Sequence, residues 1–122
     1  MTLYSYRLSG VQFAESDKVP MTEAYLKDIV DSSSISESMS GGLAKYAKGA
    51  SIDWTLDYDE FVIVISGAFT IHSEGKTSTL SGGDFFFITR GTSVTYQADE
   101  ASLLMYVTYP PWKEAAKKAG RL

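Results

Sequence analysis

The sequence predicts an all-β protein, an antiparallel sandwich or barrel with one short C-terminal helix. Three observations carry that expectation. Short runs of β-branched and aromatic residues recur along the chain, the most continuous being Phe61 to Ile65 (FVIVI) and Phe85 to Ile88 (FFFI). Polar, glycine-bearing turns separate such runs at Ser66-Gly67, Ser73-Glu74-Gly75, Ser81-Gly82-Gly83-Asp84 and Arg90-Gly91. Little helix-patterned sequence is left over to cover a parallel sheet.

Bulk properties bound the function. A length of 122 residues suits one domain, able to bury roughly two-thirds of its unfolded surface. A hydrophobic content of 44% with mixed charge argues against wholesale disorder. The net charge is −4 and the only basic block is Lys117-Lys118, so no nucleic-acid partner is expected. The absence of cysteine excludes a disulfide framework, a thiolate metal site and a cysteine nucleophile. The opening MTLYSYRLSG has no apolar signal core and no window approaches a membrane span. The expected setting is cytoplasmic, with no membrane partner.

Taken in order, Leu3 to Leu8 alternates and is expected to be a first strand, followed by an arm through Met21. Residues 1–24 thus form an N-terminal strand and arm, 25–110 a barrel and 111–122 a helical end of one domain. Glu23 to Asp31 fits a helical face through Leu26, Ile29 and Val30, and equally a strand. Ser32 to Ser40 holds six serines in nine residues. Ile35 and Met39 interrupt it, so a polar strand is preferred there to a flexible linker. Leu43 to Ala47 is a further short strand.

The stretch Trp54 to Gly67 (WTLDYDEFVIVISG) organises the rest. Its apolar run is expected to be a strand buried on both faces. Ala68 to His72 and Lys76 to Leu80 then make a hairpin across Glu74-Gly75. Phe85 to Ile88 is the next strand, with Phe85, Phe86 and Phe87 expected in core and interface. Ser93 to Gln97 alternates, and Leu103 to Tyr109 is the last strand, ended by Pro110-Pro111. Trp112 to Ala119 reads as a short helix stopped by Gly120.

The order of turns is more specific. Glu60, six residues, then Gly67 resembles the end of the first cupin motif. Gly83, five residues, Thr89, one residue, then Gly91 resembles the second, with threonine in place of the usual proline. The resemblance implies a cupin jelly-roll, or double-stranded β-helix, barrel. The two histidine places of the first motif hold Asp53 and Thr55, or Trp54 and Leu56, depending on spacing, and that of the second holds Val94. Of the four usual metal ligands only Glu60 survives, so no metal cofactor is expected. Ser38 to Glu60 and Leu103 to Trp112 are similar to the ethanolamine-utilisation, EutQ-like cupins, a branch that also lacks the histidines. That resemblance implies a homodimer. An acetate kinase activity and a microcompartment role have been attributed to the branch, and its full-length members often carry an N-terminal extension that is not seen here.

Glu60 is the first candidate for chemistry. A carboxylate at the mouth of a buried strand must be solvated, paired, metal-bound or shifted in pKa. Facing Val62 and Val64, it is either a structural hydrogen-bond partner or a pocket acid/base. Trp54, Tyr58, Tyr96 and Tyr106 are either core or the aromatic wall of a small-molecule site. Tyr96 follows from Val94, because strand residues alternate. His72, the only histidine, is expected to be exposed at a hairpin end. Lys45 and Arg90 pair either with an anionic ligand or with the acids near Glu60. Gly82-Gly83 is a turn rather than a phosphate loop, since no Gly-Lys-Ser/Thr follows.

The leading expectation is a metal-independent cupin binding a small polar or anionic metabolite, with Glu60 as the catalytic residue if there is a reaction. The alternatives are a scaffold cupin with a packed barrel, and a hard metal held by Asp57, Asp59 and Glu60 through oxygens.

Overall fold

A computed structural model describes all 122 residues. Its strands are β1 (Ala24–Val30), β2 (Ser40–Tyr46), β3 (Ser51–Thr55), β4 (Asp59–Ser66), β5 (Ala68–Ser73), β6 (Lys76–Ser81), β7 (Phe85–Ile88), β8 (Ser93–Ala98) and β9 (Ser102–Tyr109). One helix, α1 (Trp112–Lys118), follows. A five-stranded sheet runs β1-β2-β9-β4-β7 and a four-stranded sheet runs β3-β8-β5-β6. All pairings are antiparallel. After β2 the chain passes repeatedly from one sheet to the other, the crossing pattern of a jelly roll.

Alternation sets what faces inward. On β4, Glu60, Val62 and Val64 are buried while Phe61 is exposed. On β8, Val94, Tyr96 and Ala98 turn in, and on β9, Leu104, Tyr106 and Thr108. Sixteen buried residues form one core cluster. Phe69 is completely buried within it and meets Tyr46 edge-on at 4.9 Å.

Turn chemistry follows the residues. Glu74 and Gly75 both take positive φ, 50° and 79°, as a two-residue hairpin between β5 and β6 requires. Gly67 has φ 97°, and a Cβ there would collide with Ala101 O and the Ser102 side chain. That explains glycine at the end of the Glu60-to-Gly67 spacing.

Three expectations are corrected. Leu3 to Leu8 is not a strand: no strand partners it, and residues 1–10 all lie exposed, with one turn of 3-10 helix at Leu8–Gly10. Ser32 to Ser40 is a loop rather than a polar strand, because the Asp31 carboxylate takes hydrogen bonds from Ser33 N (3.0 Å), Ser33 Oγ (2.7 Å) and Ser34 Oγ (3.2 Å). Pairing resumes only at Ser40. Finally, Phe61 to Ile65 is buried on one face, not two: the arm packs Phe13 on the outer face of the five-stranded sheet only at β1 and β2, and Phe61, Phe85 and Phe87 on β4 and β7 stand exposed. Glu23 to Asp31, readable either way, resolves as strand β1 because it pairs with β2 from Ala24 to Val30.

Candidate functional site

Between the sheets lies a cavity of about 390 Å³. Glu60 enters from β4, where backbone pairing to Ile88 on β7 and Thr108 on β9 fixes its position. Tyr96, inward on β8, donates its hydroxyl proton to Glu60 Oε1 at 2.6 Å. Glu60 Oε2 receives no hydrogen bond from the protein. Desolvation pushes the Glu60 carboxyl from 4.5 up to about 7, opposed by the Tyr96 hydrogen bond.

The wall is aromatic. Trp54 on β3 donates from Nε1 to the Tyr58 hydroxyl at 2.8 Å. Trp54 also meets Trp112 edge-on at 6.1 Å. Tyr46, inward at the end of β2, and Tyr106, inward on β9, complete the ring of side chains. Burial, reinforced by nearby Glu60 or Asp28, holds all four phenols above their ordinary 10. They therefore remain neutral at physiological pH.

A second carboxylate braces this wall from behind. Asp28 Oδ1 accepts from Tyr106 OH at 2.6 Å and from Trp112 Nε1 at 2.8 Å. The Lys113 ammonium lies 3.1 Å from Oδ2 without hydrogen-bond geometry, so that contact is ionic. Trp112 N donates to Ser40 Oγ at 3.1 Å, and Ser40 Oγ is in turn hydrogen-bonded with Thr108 Oγ1, whose own proton goes to Pro110 O. The start of α1 is thereby fixed over the cavity by β1 and β2.

Trp54, Tyr58, Glu60, Tyr96 and Tyr106, singled out from the sequence, all line this one cavity. Tyr46, Trp112 and Asp28 were missed. Tyr46 was legible in principle, two residues from Ala44 on an alternating strand; Asp28 and Trp112 meet only through tertiary structure.

The remaining candidates lie elsewhere. Asp57 Oδ2 accepts from Arg121 Nε at 2.8 Å, and Asp59 Oδ1 from the backbone N–H of Arg90 at 2.8 Å. Lys45 sits over the rings of Phe13 and Tyr25, at 5.2 and 4.8 Å. His72 lies on the opposite side of the four-stranded sheet, hydrogen-bonded with Thr77 Oγ1 at 2.9 Å and Gln97 Oε1 at 3.3 Å, beside a shallow polar groove.

The usual cupin metal does not fit these residues. Leu56 and Val94 are buried apolar side chains, and Asp53 accepts from Thr95 Oγ1 at 2.6 Å. No three His, Cys, Asp or Glu side chains converge as a metal would need. The oxygen-ligand alternative fails similarly: Asp57 and Asp59 are held by different partners on the surface while Glu60 points inward.

The family model described as "Ethanolamine utilisation protein EutQ" matches residues 4–114. The chain belongs to the EutQ family. A curated EutQ-family relative from Clostridioides difficile (strain 630), named "Acetate kinase EutQ", is 32% identical over 111 residues, 87% of this chain and 69% of the relative. Its namesake from Escherichia coli (strain K12) is 31% identical over 84% of this chain but only 43% of itself, so this chain spans less than half of that relative. The solved Clostridium difficile EutQ protein superposes with a TM-score of 0.80 at 32% identity, covering 88% of this chain and 80% of that one. A Schizosaccharomyces pombe cupin domain, 15% identical, superposes with a TM-score of 0.71 over 95% of this chain and 80% of its own. That likeness concerns the fold alone. The cupin resemblance drawn from Glu60, Gly67, Gly83 and Gly91 is thereby established, as is its EutQ-like character. No helix is long and apolar enough to cross a membrane.

Proposed function

We propose that this EutQ-family cupin binds a small polar metabolite inside its barrel, without a metal cofactor, and that Glu60 anchors it. The observation that carries this is the unpaired Glu60 Oε2 at a cavity of about 390 Å³ with an aromatic wall. A carboxyl pushed up to about 7 is also tuned for general acid/base work near neutrality, so Glu60 is the catalytic residue of any reaction there. The open cavity weighs against the alternative of a scaffold with a packed barrel. The test is a thermal-shift screen of the purified chain against metabolites. A ligand at a hundred times its dissociation constant adds about 2.7 kcal/mol, a shift of several degrees. The expected result is a shift that Glu60→Gln removes; a flat response across the screen would sink the proposal.

The name of the curated relatives suggests phosphoryl transfer as a second reading. The cavity gives it little support: no lysine, arginine or histidine lines it, and Gly82-Gly83 opens no helix that would cradle a phosphate. The expected homodimer finds support at the outer face of the five-stranded sheet, where Phe61, Phe85, Phe87, Met105 and Tyr109 are exposed together. We propose a second copy of this chain as its cover.

A further inference from the structure

Resting on the ligand-site reading above, we infer that the cavity takes a small organic ammonium ion, held by the Glu60 carboxylate and a cage of aromatic rings. Three features of the wall converge on this class.

The first is charge. Asp53 and Glu60 carry the only ionisable side chains on the wall besides phenols, and no basic side chain joins them. The cations next in sequence to wall residues are committed elsewhere: Lys18 to Glu23, Lys45 to outward-facing rings, Lys113 to Asp28 and Arg121 to Asp57. An anion entering here would lose its hydration beside a carboxylate with no counter-charge, whereas a cation gains one.

The second is the rings. Trp54 and Trp112, packed edge-on, stand with Tyr46, Tyr58, Tyr96 and Tyr106 around Glu60. Aromatic faces attract organic cations, and most strongly once water is excluded.

The third is the state of the hydrogen-bond donors. An anion needs donors, and most of those on the rings are already spent. Trp54 Nε1 donates to Tyr58, Tyr96 OH to Glu60, and both Tyr106 OH and Trp112 Nε1 to Asp28. Among the aromatic side chains only the Tyr46 and Tyr58 hydroxyl protons are uncommitted. What the site holds in reserve is an acceptor, Glu60 Oε2.

The same geometry dictates a pH dependence. Glu60 faces Tyr46 from β2, Tyr58 ahead of β4, Tyr96 from β8 and Tyr106 from β9, all neutral phenols. Asp53 of β3 lines the same cavity but is bonded to Thr95; Asp28 lies behind Tyr106 against Lys113. The β7 and β9 residues paired to Glu60, Ile88 and Thr108, carry no charge. Desolvation holds Glu60 at about 7, so a permanent cation must first see it ionise. Cation affinity therefore climbs as pH rises towards 7 and levels above it; anion affinity would run the other way.

The test is isothermal titration calorimetry of the full chain from about pH 5.5 to about pH 8.5 with three probes: choline, its uncharged carbon isostere dimethylbutanol, and acetate. Choline keeps its charge throughout, so its profile reports on the protein. The expected result is that choline binds at least about tenfold tighter than the alcohol at the upper end. Its affinity falls about tenfold per pH unit below neutrality. Glu60→Gln removes the slope, while Trp54→Leu weakens choline and keeps the slope. Acetate binding that tightens as pH falls, or an alcohol that binds as well as choline, would overturn the ammonium inference and leave the barrel a ligand site. Failure of all three probes would overturn it too, and only the metabolite screen, flat in turn, would overturn the ligand-site proposal.

Discussion

Glu60→Gln should make this protein more stable at neutral pH. The glutamate titrates at about 7 in the fold against an ordinary 4.5. Below 4.5 it is protonated in both folded and unfolded chains, and burial costs nothing in charge. Between the two values the unfolded chain ionises while the folded one keeps its proton. Stability therefore falls as pH rises through that window and is flat above it. At roughly 1.4 kcal/mol per pH unit the loss amounts to ~3 kcal/mol. For a domain of this size that is a fall in Tm of about 10 °C. Glutamine keeps an oxygen for the Tyr96 hydroxyl and cannot ionise, so the variant lacks this fall. Asp31 does not interfere: its carboxyl is lowered by the Ser33 hydrogen bond, so its contribution is lost only in strong acid. The assay is Tm by circular dichroism at constant ionic strength, wild type beside variant, from about pH 4.5 to about pH 8. A difference between the two that stays constant with pH would refute the buried, uncharged Glu60.

Other outcomes follow from the wall and the outer face. Asp28→Ala strands Tyr106 OH and Trp112 Nε1 without an acceptor and should cost about 3–5 kcal/mol in denaturant unfolding; Lys113→Ala leaves the buried Asp28 carboxylate without its counter-ion but keeps both hydrogen bonds to Oδ1, so it should destabilise by less. Gly42→Ala places a Cβ against Lys27 O and the Tyr106 phenol, so it should lower Tm and also weaken whatever the cavity binds, read by the same thermal-shift screen. Phe61→Ser combined with Phe87→Ser should convert a dimer to a monomer in sedimentation experiments; a monomeric wild type would refute the second copy as cover.

The site was more legible than the edges of the fold. Motif spacing located Glu60, and the strand period of two carried Tyr96 from Val94 and set Glu60 beside Val62. Trp54 and Tyr58 came from their closeness in sequence to that strand. Asp28 was not legible, because its segment fitted helix and strand equally and its partners lie 78 and 84 positions away. Leu3 to Leu8 shows the converse: an alternating pattern makes a strand only where a neighbour offers unpaired backbone. Phe61 to Ile65 was read as buried on both faces because hydrophobicity announces that a surface will be covered, not whether its own chain covers it.

The bond from Trp112 to Asp28 also sets an order of events. It joins residues 84 apart, so the cavity lacks one wall until the chain has been made past Trp112. On a ribosome, strands β1 to β8 would emerge before the site existed, and ligand binding would have to wait until Trp112 had docked. A bound ligand would then report that the two distant ends of this barrel have met.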